Sequence, residues 1–392
     1  MLDQWNEKAE RDVGWFGEEP DERGMAPCNI READEEVIRM VARNHDYKNR
    51  LYRDREYAKA SRWGNIIAPP MFMPCAGAGC PHFPMMNKDV GVYVGQHFGE
   101  EYDYYKPIYA GDTLRIYQGR AIMKDETPEG GSDIRILASY DRKYYFNQNG
   151  EQVGVFEHIL KHLYSEPGTE FGKVMRYGFE GDMALSSSFR NVRWTEPFRY
   201  TREQMDAINR FYLNEPRRGR NTLYWEDVNV GDVLPSTVLG PITFWDAVGA
   251  VGTHWESVNT LNEFRRNHMG GLFIDPVTGV PHQGAEIHLS MDVPKLIHWY
   301  SSTIVEQTII SACCRLVGNW MSDDGFISHV GWRKFTNTQY GDTLFARGRV
   351  IRKYIDEDGS CKVLVDTALE NVRGYLTNMC PITVKLPSRE AQ

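Results

Sequence analysis

The chain has 392 residues, with 45 Lys and Arg against 54 Asp and Glu for a formal charge of −9, a length for two or three domains rather than one. Its 41% apolar, 12% aromatic and 25% charged residues suffice for a sizeable core, which excludes general disorder. The acidic balance and the lack of any long Lys/Arg run argue against nucleic acid or an anionic membrane as the main partner.

Residues 1–24 form a charged N-terminal extension without the apolar core and cleavage site of a secretory signal, and the apolar stretches at 64–76 and 304–317 are too short to cross a bilayer, so the expected location is the cytoplasm. From Ile30 the pattern Ile-x-x-x-Asp opens a helix, with Asp34 as its N-cap. His45 and Asp46 follow in what reads as a capped, solvated loop. At 110–120 comes AGDTLRIYQGR, then a stretch with alternating apolar residues broken at turn formers, which predicts a hairpin.

Residues 166–220 show no sustained alternation and are rich in Gly, Ser, Arg and Pro; Trp194, Phe198, Tyr200, Phe211 and Tyr212 within them need burial, so the segment reads as an ordered connector. Beyond it the chain repeats itself. Ile242-x-x-x-Asp246 opens a second helix, again with Asp as the expected cap, and YGDTLFARGRV at 340–350 repeats the Gly-Asp-Thr-Leu motif 230 residues after the first. The second half carries extra residues between helix and motif, placed in the loop-like HMGGLFIDPVTGVPHQG. The reading is a duplicated α+β unit: 25–165, then the connector 166–220, then 221–392.

The seven cysteines are an odd number without a CxxC pair, which fits reduced thiols, and Cys313 and Cys314 in TIISACCRLVGNW read as core residues. His288, Glu286 and His298 lack the i, i+4 spacing of a helical metal site. CAGAGC and HMGGLF lack the lysine and the strand-to-helix context of a phosphate loop. No metal and no cofactor are expected.

GNIIAPPMF at 64–72, GQHFGEEYDYYKPIYAGDTL at 95–114, EDVNVGDVLPS, GPITFWD, NWMSDDGFI and YGDTLFARGRV together resemble the MaoC-like acyl dehydratases, which include the R-specific enoyl-CoA hydratases. The resemblance implies a double hotdog, each unit a long central helix wrapped by a curved antiparallel sheet. It also implies an acyl-CoA thioester bound between the units, and a homodimer. Family members use an Asp followed five residues later by His, with a backbone amide at the start of the central helix as oxyanion donor.

Neither half keeps that dyad. In the first half Tyr47 and Tyr52 stand at the two positions and Ala68-Pro69-Pro70 replaces the His-Gly helix entry, leaving this unit to build the substrate-binding wall. In the second, Glu256 stands near the carboxylate position, with Leu261 where His belongs, His254 and Asn259 nearby, and His282 at the expected helix entry. The expected site is therefore Glu256 as base, with His254 or His282 orienting water or returning the proton, Asn259 beside them, and an amide near Gly284 as oxyanion donor. Trp255, Trp63 and Phe72 are candidate walls for the acyl chain, and the 10 Trp, 21 Tyr and 17 Phe admit an aromatic acyl group. Arg62 and Arg218, with Arg217 and Arg220, are candidates for the CoA phosphates. The expected activity is reversible hydration of a 2-enoyl-CoA to a 3-hydroxyacyl-CoA. The alternatives are thioester hydrolysis and a catalytically silent acyl-CoA-binding subunit.

Overall fold

The computed structural model describes residues 30–77, 92–119, 122–127, 134–165, 197–254, 272–274, 277, 281–283, 288–290 and 303–390. The strands are β1 (Glu32–Ala33), β2 (Val92–Tyr104), β3 (Asp112–Thr113), β4 (Arg115–Gln118), β5 (Ile122–Asp125), β6 (Ile134–Phe146), β7 (Gln152–Ser165), β8 (Val233–Leu239), β9 (Leu272–Ile274), β10 (Pro281–Gln283), β11 (Phe326–Lys334), β12 (Leu344–Ile355), β13 (Cys361–Asn371), β14 (Leu376–Met379) and β15 (Ile382–Lys385). The helices are α1 (Glu35–His45), α2 (Arg55–Lys59), α3 (Phe72–Ala76), α4 (Arg202–Leu213), α5 (Phe244–His254) and α6 (Glu306–Met321).

Eleven strands make one antiparallel sheet in the order β4-β6-β7-β2-β11-β14-β13-β12-β8, with β5 on β6 and β15 on β11 and β13. Read outward from the β2–β11 pair, β7-β6-β4 on one side matches β14-β13-β12 on the other, with β8 added at the second edge, so the topology repeats and the fold is a double hotdog. The seam runs from His329 opposite Asp103 to Arg333 opposite Gly99.

The repeated motifs are repeated turns. In each Gly-Asp-Thr-Leu the Asp carboxylate accepts the amide three residues back, Tyr109 to Asp112 at 2.8 Å and Gln339 to Asp342 at 3.0 Å. The preceding glycines hold φ of +100° at Gly111 and +88° at Gly341, a region that favours glycine. Each hairpin likewise turns around an asparagine: Asn147 accepts from the amides of Asn149 and Glu151, and Asn371 from those of Arg373 and Tyr375.

Asp34 caps α1 by accepting from the amides of Glu36 and Val37, and Ile38, Val41, Ala42 and His45 form the helix's buried stripe. The second-half match is displaced from the expected pairing of Ile30 with Ile242. The Gly111 amide donates to Ala33 O and the Gly341 amide to Ile242 O, which makes Ala33 the counterpart of Ile242. Asp246 is consequently not an N-cap. It lies inside the first turn of α5 and accepts from the amide and hydroxyl of Thr243 at 2.7 and 2.8 Å. Each helix opens two residues after these counterparts, Ala33 and Ile242, at Glu35 and Phe244.

Among the described residues α6 is the long central helix. From Thr308 to Met321 every residue except Arg315 is buried, Cys313 and Cys314 included, as befits a helix enclosed by sheet. It begins at Glu306, well after His282, which instead lies in β10, paired with β9. The expected helix entry at 282–284 is thus corrected: the two-stranded ribbon occupies the extra residues of the second half. In the first unit the wholly buried helical turn is α3, in addition to the partly buried α1 and α2. The connector contributes α4, opened by a Thr201–Gln204 capping box.

Candidate active site

A band of buried ionisable groups crosses the inner face of the sheet at the seam. Asp141 on β6 stands opposite His158 on β7, His158 opposite Glu100 on β2, and Glu100 opposite Trp332 on β11; all four are buried. His97 joins them because Phe98 is an extra residue in β2. The register passes from His97–Leu160 directly to Gly99–Ile159, and this bulge returns His97 to the face that carries Glu100. In a regular strand, residues three apart face opposite ways.

The head of α6 closes this band from above. Glu306 places one carboxylate oxygen 2.9 Å from Lys334 Nζ and the other 3.4 Å from His97 Nδ1. His97 Nε2 lies 2.9 Å from Glu100 Oε1. Gln307 donates to Glu100 at 3.0 Å, and the Tyr102 hydroxyl donates to its second oxygen. Burial opposes a charge on His97, yet Glu306 and Glu100 override it and lift the imidazole to about 9, so it is cationic at neutral pH. Burial likewise pushes Glu306 up, but Lys334 and His97 hold its carboxyl well below the usual range. Asp141 is pushed up to about 7 by burial. His288 is half-buried, with Nδ1 3.0 Å from Thr303 O, and desolvation lowers its pKa.

Val305, the N-cap of α6, provides no side-chain cap. The Thr308 amide donates to Val305 O at 3.2 Å; the positive end of the helix dipole lies beside the Glu306 carboxylate, and a helix head without a capping side chain is an arrangement suited to an anionic oxygen.

A second feature lies roughly 14 Å further along α6, where a cleft of about 370 Å³ opens beside the end of α1, lined among others by Asp46, Tyr47, Lys48, Tyr212 and Arg315. His45 and Asp46 are not a solvated loop as expected. Both are buried, and Arg217 grips Asp46. Arg217 is thereby occupied inside the protein.

The expected site residues divide into two groups. Trp255, Glu256, Asn259 and Gly284 lie outside the described residues. For His254 and His282 the description covers the backbone only, at the end of α5 and in β10. Phe72 is fully buried in the core, and Trp63 donates its indole N–H to Asp323 O at 2.8 Å, bridging the two units. Arg62 stacks on Trp63 and donates to Asp324 O; Arg218 is exposed. His97, Glu100, His158, Glu306 and Lys334 were missed. The available signal was the HFGEE segment, whose alternation is broken by the bulge. The five described cysteines are buried free thiols. Among the described residues no helix is long and apolar enough to cross a membrane.

Comparison with known proteins agrees with the geometry. Residues 31–155 match the family described as FAS1-like, dehydratase domain region. A UPF0336 protein of Parafrankia sp. (strain EAN1pec) is 30% identical over 122 residues, spanning 30% of this chain and 75% of that protein. A solved MaoC-like dehydratase superposes with a TM-score of 0.57 at 15% identity, covering 93% of this chain and 98% of its own. A MaoC domain dehydratase from Chloroflexus aurantiacus J-10-fl gives 0.54 at 14% identity, covering 93% and 94%. The family match falls on the first unit and the structural matches span both: the chain belongs to the family of the UPF0336 protein, carries a FAS1-like dehydratase region as the first of its two hotdog units, and shares the fold of the MaoC-like dehydratases.

Proposed function

We propose that the protein is a hydro-lyase that adds water reversibly across the double bond of a 2-enoyl-CoA to give a 3-hydroxyacyl-CoA. The observation that carries this reading is the head of α6, which lacks a side-chain cap and sits at the seam of the two sheets over His97 and Lys334. As water adds at C3, charge develops on the thioester oxygen. Amides at a helix head supply hydrogen bonds to that enolate; Lys334 and His97 beneath them are paired with Glu306, so their charges are largely offset. The oxyanion donors are assigned to the start of α6, which begins at Glu306; Gly284 lies outside the described residues.

The base is assigned to Glu256, on the segment between α5 and β9. It takes a proton from water; the hydroxide adds at C3, and His254 or His282 delivers a proton to C2. The common start of α1 and α5, with Ala33 matching Ile242, supports this choice, since the same offset makes Glu256 the counterpart of Tyr47, the residue at the family's carboxylate position. The substrate-binding role belongs to the first unit.

The test is Glu256→Gln against a panel of enoyl-CoAs, following loss of the conjugated thioester together with free thiol. The expected result is hydration by the parent chain and a fall of about 10²- to 10⁴-fold in kcat/KM for the variant. An unchanged kcat/KM removes Glu256 from the mechanism. Thiol release without hydration shows a thioesterase, and saturable binding without turnover shows a silent subunit.

A further inference from the structure

We infer that His97, Glu100 and His158 form a binding site for one divalent transition-metal ion of the zinc type, held between β2 and β7. The inference meets the hydro-lyase reading at His97, whose proton the ion replaces, but its test reads binding and not turnover. One ligand atom from each of the three residues lies within 4.8 Å of the others. The His97 and His158 rings are 4.2 Å apart between centroids, and Glu100 and His158 are directly paired across the strands. Two imidazoles and one carboxylate are a set that suits zinc and its first-row neighbours.

The pairing of His97 with Glu100 is the more specific sign. Nε2 and Oε1 are 2.9 Å apart, yet the geometry at the buried Nε2 is not that of a hydrogen bond. Two ligands about 2.1 Å from a shared tetrahedral ion are about 3.4 Å apart, so Nε2 and Oε1 separate by about half an ångström when the ion enters between them. An ion there takes the place of the proton on Nε2.

The surroundings complete the pattern. A metal-binding histidine gives its other ring N–H to a carboxylate, and a ligating carboxylate is itself hydrogen-bonded. His97 Nδ1 faces Glu306 at 3.4 Å, and Lys334 anchors Glu306. Gln307 and Tyr102 hold the Glu100 carboxylate. The helical i, i+4 rule applied to the sequence does not detect this set, because the ligands come from two strands and a bulge. The ion would fasten β2 to β7 beneath the head of α6.

The probe is Co²⁺ titrated into the purified full-length chain, read by visible d–d absorption, with a parallel measurement of Tm in Zn²⁺ and in Mg²⁺. The expected result is saturation at one equivalent without a thiolate charge-transfer band, and a Tm raised by Zn²⁺ but not by Mg²⁺. Glu100→Gln, which keeps the shape of the ligand, and His158→Gln each weaken Co²⁺ binding at least tenfold; Glu306→Gln weakens it about tenfold through His97. Circular dichroism identifies a variant that fails to fold, and the other then decides. Absence of one-equivalent saturation, a thiolate band, or unchanged affinity in the folded ligand variants overturns the site.

Discussion

Arg217 holds Asp46 through both of its terminal nitrogens, Nη1 at 3.1 and 3.2 Å and Nη2 at 3.2 Å, and so ties the connector to the end of α1. Burial pushes the Asp46 carboxyl above its usual value, while Arg217 and Arg315 pull it back. Removing one partner of a buried pair leaves an uncompensated charge, so Arg217→Ala is expected to cost about 3 kcal/mol at neutral pH. The loss has a direction in pH. A carboxyl that binds its proton more tightly when folded loses stability as pH rises from the unfolded pKa through the folded one. Without Arg217 the folded pKa rises further and that window widens. Urea unfolding at pH 5 and pH 7 should show the variant's deficit smaller at pH 5; an equal deficit at both counts against a charge origin.

Lys334 and Glu306 are both almost enclosed, each with 11% of its side chain exposed, at 2.9 Å. Lys334→Met leaves Glu306 with His97 alone and is expected to cost about 3 kcal/mol. Adding Glu306→Gln removes the stranded charge and should recover much of the loss. The double-mutant cycle in urea measures this; additive losses refute the coupling.

The sequence carried the duplication plainly, because Gly111 and Gly341 sit in turns that few residues but glycine tolerate, and because Asp112 and Asp342 serve the same local acceptor role. Such local hydrogen bonds leave the same letters in both copies. The polar band was illegible for the opposite reason. It is assembled across β6, β7, β2 and α6, and its key member His97 reaches the inner face only through the Phe98 bulge, which strand periodicity does not encode. The start of α6 was misplaced because His282, which lies in β10, imitates a helix entry, while the helix itself opens on Val305 without a polar cap.

His329 sits on the outer face of the seam, 2.8 Å from Asp103 and 3.1 Å from Glu101. Burial lowers its pKa, but the hydrogen bonds to Asp103 and Glu101 dominate and raise it to about 9. A histidine raised on folding stabilises fully below its unfolded pKa and loses that contribution as pH climbs through the folded one. Stability should therefore decline between about pH 6.5 and 9 in the parent chain, and the decline should be shallower in His329→Gln. Thermal unfolding at half-unit pH steps reads the difference. Parallel curves would show that another group governs this range.

Two glycines separate backbone strain from steric conflict. At Gly341 a Cβ meets nothing within 4 Å, but φ is +88°, so Gly341→Ala is expected to cost about 1 to 2 kcal/mol from conformation alone. At Gly99 a Cβ lies 2.7 Å from Trp332 O, a backbone atom of the neighbouring strand, and Gly99 faces Arg333 across the β2–β11 pair. Gly99→Ala must therefore push apart the two strands that join the hotdog units. Its cost should exceed that of Gly341→Ala, and it should be accompanied by faster amide exchange at 99–103 and 329–333, where Gly341→Ala leaves exchange as in the parent. A Gly99→Ala chain as stable as the parent, with unaltered exchange along that pair, would show that the seam yields to a methyl group and does not fix the head of α6 over His97.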